Sequence, residues 1–134
     1  MFTRIGSVPI FVSDQERALA FYRDKLGFEV VLDQQYGPEF RWVTVARQEG
    51  ETELVLFRPV PSIAGNQLKE LEGRIGIWTG ITFLTADINA TYQTLRQRGV
   101  EFQTEPTRQA WGGTEALFSD PDGNYFHLVQ RPGS

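Results

Sequence analysis

The chain has 134 residues, 40% of them hydrophobic and 22% charged, and a formal net charge of −4, which together are typical of one soluble globular domain. An acidic chain lacks the basic face that nucleic-acid phosphates require, so nucleic acid is excluded as a partner. No apolar run is long enough to span a membrane, so a membrane is excluded as well. The absence of cysteine excludes disulfides, thiolate catalysis and zinc–sulfur sites.

The first half of the chain is predicted to form a βαβββ unit, residues 1–58. Asp14 is a good N-cap for a helix that carries apolar residues at helical spacing and ends at Gly27. Gly50 marks a hairpin turn between the last two strands. The four predicted strands cover residues 4–12, 28–32, 41–46 and 53–58.

A second βαβββ unit is predicted for residues 80–134, after a linker at 59–79 that contains a possible short helix at 68–71. Asp87 caps the helix of this unit, and Gly99 ends it. Residues 120–124, Asp-Pro-Asp-Gly-Asn, form a tight hairpin turn, because Pro and Gly suit its turn positions. The four predicted strands begin at Gly80 and at residues 101, 114 and 125.

The two halves repeat each other in order. Residues 12–14, Val-Ser-Asp, lead to Gly-Phe-Glu-Val at 27–30, and residues 85–87, Thr-Ala-Asp, lead to Gly-Val-Glu-Phe at 99–102. Each repeated unit has a sheet face that it cannot cover alone. The repeat therefore predicts a trough lined by sheet faces, which is a place for a ligand.

This pattern resembles the vicinal oxygen chelate superfamily, which includes glyoxalase I, extradiol dioxygenases, fosfomycin-modifying enzymes and bleomycin resistance proteins. The resemblance rests on residues 12–22, 26–28, 86–88, 98–102 and 120–124, and it spans essentially the whole chain. It implies an α+β fold of two tandem βαβββ modules, with curved mixed sheets around a cavity, and usually a homodimer.

In the metal-dependent members, four ligands lie on the first and fourth strands of the two units. The resemblance places these positions at Ser7, Val55, Gly80 and His127, of which only His127 is a good ligand for a divalent metal. A two-residue shift would replace Val55 by Glu53 and still supply only two ligands, whereas three or four are usual. We therefore expect no metal and no other cofactor.

His127 is the only histidine in the chain, and its neighbours Phe126 and Leu128 are expected to pack against the helix, which leaves His127 on the cavity side. It is either a structural histidine paired with a neighbour, or a hydrogen-bonding or acid–base residue in the cavity. Glu115 either enters the cavity rim beside it or lies in solvent. These two residues are the candidates for catalysis.

Aromatic side chains on the same faces are expected to line the ligand site, although core packing explains each of them as well. Trp111 precedes the flexible pair Gly112-Gly113, which would let a loop close over the trough. Arg41 either pairs with a ligand carboxylate or lies exposed at a strand end. The predicted ligand-binding residues are Ser7, Phe11, Trp42, Phe57, Thr82, Trp111, Glu115 and His127.

The favoured interpretation is a metal-free protein that binds a planar or amphipathic small molecule, of the bleomycin-resistance kind. The alternative is a metal-dependent or His127-dependent lyase, isomerase or dioxygenase of the glyoxalase kind. A purely structural protein would leave the trough unexplained. No nucleophile motif or phosphate-binding loop is present, and no signal-peptide pattern precedes the first strand, so a cytoplasmic location is expected.

Overall fold

A computed structural model describes residues 1–133. The chain divides into two compact units, residues 1–76 and residues 77 onward. Each unit contains one four-stranded mixed sheet and few helices. The predicted α+β class with two four-stranded sheets is confirmed. No helix within the described chain is both long and apolar enough to cross a membrane.

The first unit follows the predicted βαβββ order. In its sheet, ordered β1-β4-β3-β2, β1 pairs parallel with β4 and the other pairs are antiparallel. The segment predicted as a linker contains two short helices and a 3₁₀ turn, Gly65–Gln67. The elements are β1 (Ser7–Phe11), α1 (Gln15–Leu19, continued by a π-helical turn at Ala20–Lys25), β2 (Glu29–Tyr36), β3 (Phe40–Ala46), β4 (Glu53–Phe57), α2 (Pro61–Ala64) and α3 (Leu68–Glu72).

Helix α1 is held by its cap and by one buried side chain. The Asp14 carboxylate accepts a hydrogen bond from the backbone N–H of Arg17 at 3.0 Å, which confirms the predicted N-cap. The buried Gln15 amide donates to the backbone oxygens of Arg41, at 2.8 Å, and Leu56, at 2.9 Å. These bonds connect the helix to β3 and β4, so the helix covers one face of the sheet.

The strands of the first unit separate two kinds of side chain. On the helix-covered face, Ile10, Val43 and Leu56 are almost completely buried. The intervening residues of the same strands point to the opposite face, because side chains alternate along a strand. Phe11 and Phe57, which are partners in the β1–β4 register, lie on that opposite face.

The second unit repeats the arrangement, with sheet order β5-β8-β7-β6 and a parallel β5–β8 pair. Asp87 caps α4 by accepting from the backbone N–H of Ala90 at 3.0 Å, as predicted. The first strand of this unit was predicted to begin at Gly80. The observed strand, β5, begins two residues earlier, at Trp78. The elements are β5 (Trp78–Leu84), α4 (Ile88–Gln97), β6 (Glu101–Arg108), β7 (Thr114–Ser119) and β8 (Tyr125–Gln130).

Aromatic rings fill the helix-covered side of the second sheet. Phe118 and Phe126 are buried and stack with their centroids 5.4 Å apart, and Phe83 lies 5.2 Å from Phe126. Phe102 connects this stack to Tyr92 of α4, with centroids 4.7 Å apart. The rings therefore form a continuous core between sheet and helix.

The Asp-rich turn at 120–124 is explained without an ion. The buried carboxylate of Asp120 accepts from the backbone N–H groups of Asp122, at 2.9 Å, and Asn124, at 3.0 Å. The Asn124 amide donates to the same carboxylate at 2.9 Å. Gly123 has φ +85°, which favours glycine. The carboxylate thus stabilises the predicted hairpin turn.

Arg41, at the start of β3, connects three elements of the first unit. Its guanidinium donates two hydrogen bonds of 2.7 Å to Asp33 of β2 and lies 2.6 Å from Glu16 of α1. The hydrogen bond from Arg41 lowers the pKa of Asp33 below its usual value. Arg41 is therefore a structural residue at the helix–sheet junction.

Truncation of a helix-facing strand residue should destabilise the protein far more than truncation of an exposed one. Leu56 is 0% exposed and Leu32 is 41% exposed, and both lie in strands of the same sheet. Leu56→Ala should lower the free energy of unfolding by about 2–5 kcal/mol, and Leu32→Ala by about 1 kcal/mol or less. Urea denaturation measures both, and equal losses would contradict the assignment of faces.

The Asp33–Arg41 pair should contribute a small, pH-dependent stability. Because the pKa of Asp33 is lowered in the folded state, the contribution is complete above the unfolded value, about 3.9, and is lost as the pH falls through the folded value. The pair is partly exposed, so Asp33→Asn should cost about 1 kcal/mol or less at pH 7. Urea denaturation at pH 7 and below pH 3 should show this difference disappearing in acid.

Candidate functional site

A pocket of about 310 Å³ lies on the face of the first sheet opposite α1. It is formed by side chains from β1, β3 and β4 and by one leucine from α3. Most of the pocket surface is apolar, and the Ser7 hydroxyl contributes a polar group to it. The lining residues are Ser7, Pro9, Phe11, Trp42, Val55, Phe57 and Leu71.

Edge-to-face aromatic contacts shape this pocket. Phe57 lies 5.7 Å from Phe11 at an interplanar angle of 73°, and 6.5 Å from Trp42 at 87°. Phe40 completes the group at 5.8 Å from Phe57. Phe11, Trp42 and Phe57 pack against one another and also line the open volume. The apolar floor predicted from Phe11 and Phe57 is therefore also a pocket wall.

The segment after β4 contributes residues that the sequence interpretation did not include. Leu71 of α3 lines the pocket, and the Arg74 guanidinium lies 5.7 Å from the centroid of the Phe11 ring. Arg74 also pairs with Glu70 at 2.8 Å. The apolar spacing at 68–71 predicted a short helix but contained no signal for what that helix contacts.

In the second unit, His127 lies between Glu115 and Trp78. Its Nδ1 atom contacts the Glu115 carboxylate, and its Nε2 atom lies 2.8 Å from the indole nitrogen of Trp78. An indole N–H only donates, so Nε2 is the acceptor and the ring proton is assigned to Nδ1, which donates to Glu115. The His127 and Glu115 side chains are 27% and 22% exposed, so the pair lies at an accessible face.

A glycine bulge gives Trp78 this position. Gly80 has φ +72°, and the β5–β8 register shifts between Trp78 and Thr82. The six-membered ring of Trp78 lies 3.8 Å from the point where a Gly80 side chain would begin. The sequence interpretation missed Trp78 because it assigned this residue to the linker, although Trp78 and Gly80 continue the alternation of the strand.

The predicted site residues fall into separate groups. Ser7, Phe11, Trp42 and Phe57 line the pocket of the first unit. Thr82 pairs in register with His127, and Glu115 contacts His127. Trp111 is half-exposed and its ring covers Gly113, where an added Cβ would overlap it.

The four positions that the resemblance marks for metal ligands do not form a donor set that fits a metal. Val55 and Gly80 have no side-chain donor, and both nitrogens of His127 contact other side chains. Glu53 is the register partner of Ser7 and would add one carboxylate. Within residues 1–133, no group of three or more His, Asp or Glu side chains is arranged to hold a metal.

Comparisons with known proteins agree with this architecture. The family model of the Glyoxalase/Bleomycin resistance protein/Dioxygenase superfamily matches residues 4–128. The uncharacterized protein YetH of Bacillus subtilis is 37% identical over 130 residues, which cover 97% of this chain and 100% of YetH.

Two solved structures are also similar. A member of the same superfamily from Sphaerobacter thermophilus is 43% identical, with a TM-score of 0.82 and coverage of 97% of this chain and 98% of its own. TnmS3, an antibiotic binding protein from Streptomyces sp. CB03234, is 34% identical, with a TM-score of 0.77 and coverage of 96% of each chain.

Because the four marked positions supply a single good ligand, the purified protein should contain no stoichiometric divalent metal. The metal content of the wild type and of His127→Ala, measured by mass spectrometry after dialysis, should be equally low. About one equivalent of nickel, zinc, iron or manganese that is lost in His127→Ala would contradict this expectation and favour a metalloenzyme.

Proposed function

Since the chain belongs to the glyoxalase/bleomycin resistance protein/dioxygenase superfamily, we propose that it is a metal-free protein that binds a planar or amphipathic small molecule. The observation that carries the proposal is the aromatic pocket on the open face of the first sheet, lined by Phe11, Trp42 and Phe57. A cytoplasmic location and a homodimer are part of the proposal, the latter because each sheet has edge strands that another chain would cover.

The chemistry of the pocket supports a flat, largely apolar ligand. Phe11, Trp42 and Phe57 present ring faces and edges against which another ring packs favourably. Burial of about 150 Å² of apolar ligand surface would contribute roughly 4 kcal/mol. The Ser7 hydroxyl offers one hydrogen bond, which suits a compound with one polar group at its edge.

A relative supports the binding role. TnmS3 is described as an antibiotic binding protein, and it is similar to this chain over nearly the whole length of both. Fold similarity alone does not establish function, but a binding role agrees with a pocket built mainly from hydrocarbon side chains. It also agrees with a donor set that does not fit a metal.

A second candidate function is metal-free acid–base catalysis by His127. The supporting observation is the contact between Glu115 and Nδ1 of His127, which orients the ring and would stabilise an imidazolium. In such a lyase or isomerase, Nε2 would take a proton from the substrate and return it at another atom. Trp78 donates to that same Nε2 atom, so the indole would first have to move, and binding is therefore the favoured function.

The binding proposal predicts that the pocket aromatics determine affinity. N-Phenyl-1-naphthylamine, a planar fluorescent probe, should bind the wild type and change its tryptophan emission. Phe57→Ala should weaken binding at least tenfold, because Phe57 contacts both Phe11 and Trp42. Trp42→Phe should largely abolish the change in tryptophan emission while the probe still binds.

Tyr36→Ala provides the control, because Tyr36 is an exposed aromatic of the same sheet outside the pocket lining. It should leave probe affinity within twofold of the wild type. Failure of the wild type to bind planar probes, or equal affinity in Phe57→Ala, would refute the binding proposal. A reaction abolished equally by His127→Ala and Glu115→Ala would favour the catalytic candidate.

A further inference from the structure

We propose that the hydroxyl of Thr44 recognises the ligand in the pocket of the first unit, by donating a hydrogen bond to an acceptor in the plane of the ligand ring. The inference rests on the proposed binding function and adds a chemical class to it. The ligand would be a flat aromatic compound with a ring nitrogen or a ring carbonyl at its edge. Thr44 would be the residue that selects this class.

The first support is the position of Thr44 on the pocket face of the first sheet. Thr44 is two residues from Trp42 in β3, and it lies opposite Val55 in the register between β3 and β4. Side chains of directly opposed residues, and of residues two apart on one strand, point to the same face. Trp42 and Val55 both line the pocket. The pocket therefore extends to the two nearest neighbours of Thr44 on this face.

The second support is that the Thr44 hydroxyl is buried without a partner. The residue is 2% exposed, and within residues 1–133 its Oγ1 is the buried side-chain polar atom that has no hydrogen-bond partner. Buried polar groups are nearly always hydrogen-bonded, and an unpaired one destabilises the folded state. Valine has nearly the same shape and avoids this cost, and the same strand contains Val43 and Val45. The hydroxyl therefore needs a partner that the described chain does not supply.

A ligand acceptor would be this missing partner. The threonine hydroxyl proton rotates to suit its acceptor, and a hydrogen bond to a group that was unpaired before binding gains more than the exchange of one bond for another. Ser7, the hydroxyl residue of the pocket lining, lies in β1, and β4 separates β1 from β3. A ring without an acceptor would bind through apolar contacts alone and leave the Thr44 hydroxyl unpaired.

Quinoline and naphthalene provide the ligand test, because they share one bicyclic shape and quinoline has a ring nitrogen that accepts a hydrogen bond. Displacement of N-phenyl-1-naphthylamine measures both affinities. Naphthalene is the more hydrophobic compound, so the quantity compared is the ratio of quinoline affinity to naphthalene affinity in each variant. Thr44→Val should lower this ratio by about fivefold or more relative to the wild type. Thr44→Ser, which keeps the hydroxyl, should retain most of it.

A second measurement needs no ligand. Because the Thr44 hydroxyl is unpaired, Thr44→Val should raise the urea concentration at the midpoint of unfolding. Thr79→Val is the matched control, since the Thr79 hydroxyl donates to the backbone oxygen of Tyr125 at 2.9 Å and accepts from the backbone N–H of Ile81 at 3.1 Å. Its loss should lower the midpoint. A threonine whose replacement stabilises the fold and weakens one class of ligand acts in binding.

An unchanged affinity ratio in Thr44→Val would overturn the inference, and so would a ratio that falls in Ser7→Ala instead. A lower urea midpoint in Thr44→Val would also overturn it, because the hydroxyl would then have a structural partner. In each of these cases, binding of naphthalene that requires Phe57 would leave the binding function standing. If the wild type binds none of the three compounds, the binding function fails and this inference fails with it.

Discussion

The strict alternation of side chains along the strands is the constraint on which the rest of this structure depends. In β8, Phe126 and Leu128 are buried on the helix side, and His127 between them faces the other way. A shift of one residue would bury an imidazole among phenylalanines and expose the aromatic core. The hydrophobic energy of the core therefore determines which polar groups reach the open face.

The two units use the open face differently. In the first unit, the pairing of β1 with β4 brings Phe11 beside Phe57, and the face is an apolar pocket. In the second unit, the pairing of β5 with β8 brings Thr82 beside His127, and the face carries hydrogen-bonding groups. One supersecondary unit, repeated, thus carries hydrocarbon area on the open face of one copy and hydrogen-bonding side chains on the open face of the other.

Gly80 lies at one of the irregularities in strand register, and this irregularity positions a side chain beside His127. Its positive φ and the associated bulge bring the Trp78 indole within 2.8 Å of Nε2 of His127. A side chain at this position would be strained and would meet the indole ring. The glycine therefore offers no side chain that could bind a metal, and its backbone conformation positions the Trp78 indole beside His127.

Local signals in the sequence determined the helix caps at Asp14 and Asp87, the repeat of two βαβββ units, and the face on which His127 lies. They did so because capping and two-residue alternation depend on neighbours along the chain. The sequence alone did not reveal that Trp78 pairs with His127 or that Leu71 lines the pocket. Those contacts join residues far apart in sequence, and alternation specifies a face but not a partner. Only the tertiary pairing of strands, with the bulge at Gly80, decided which side chains meet.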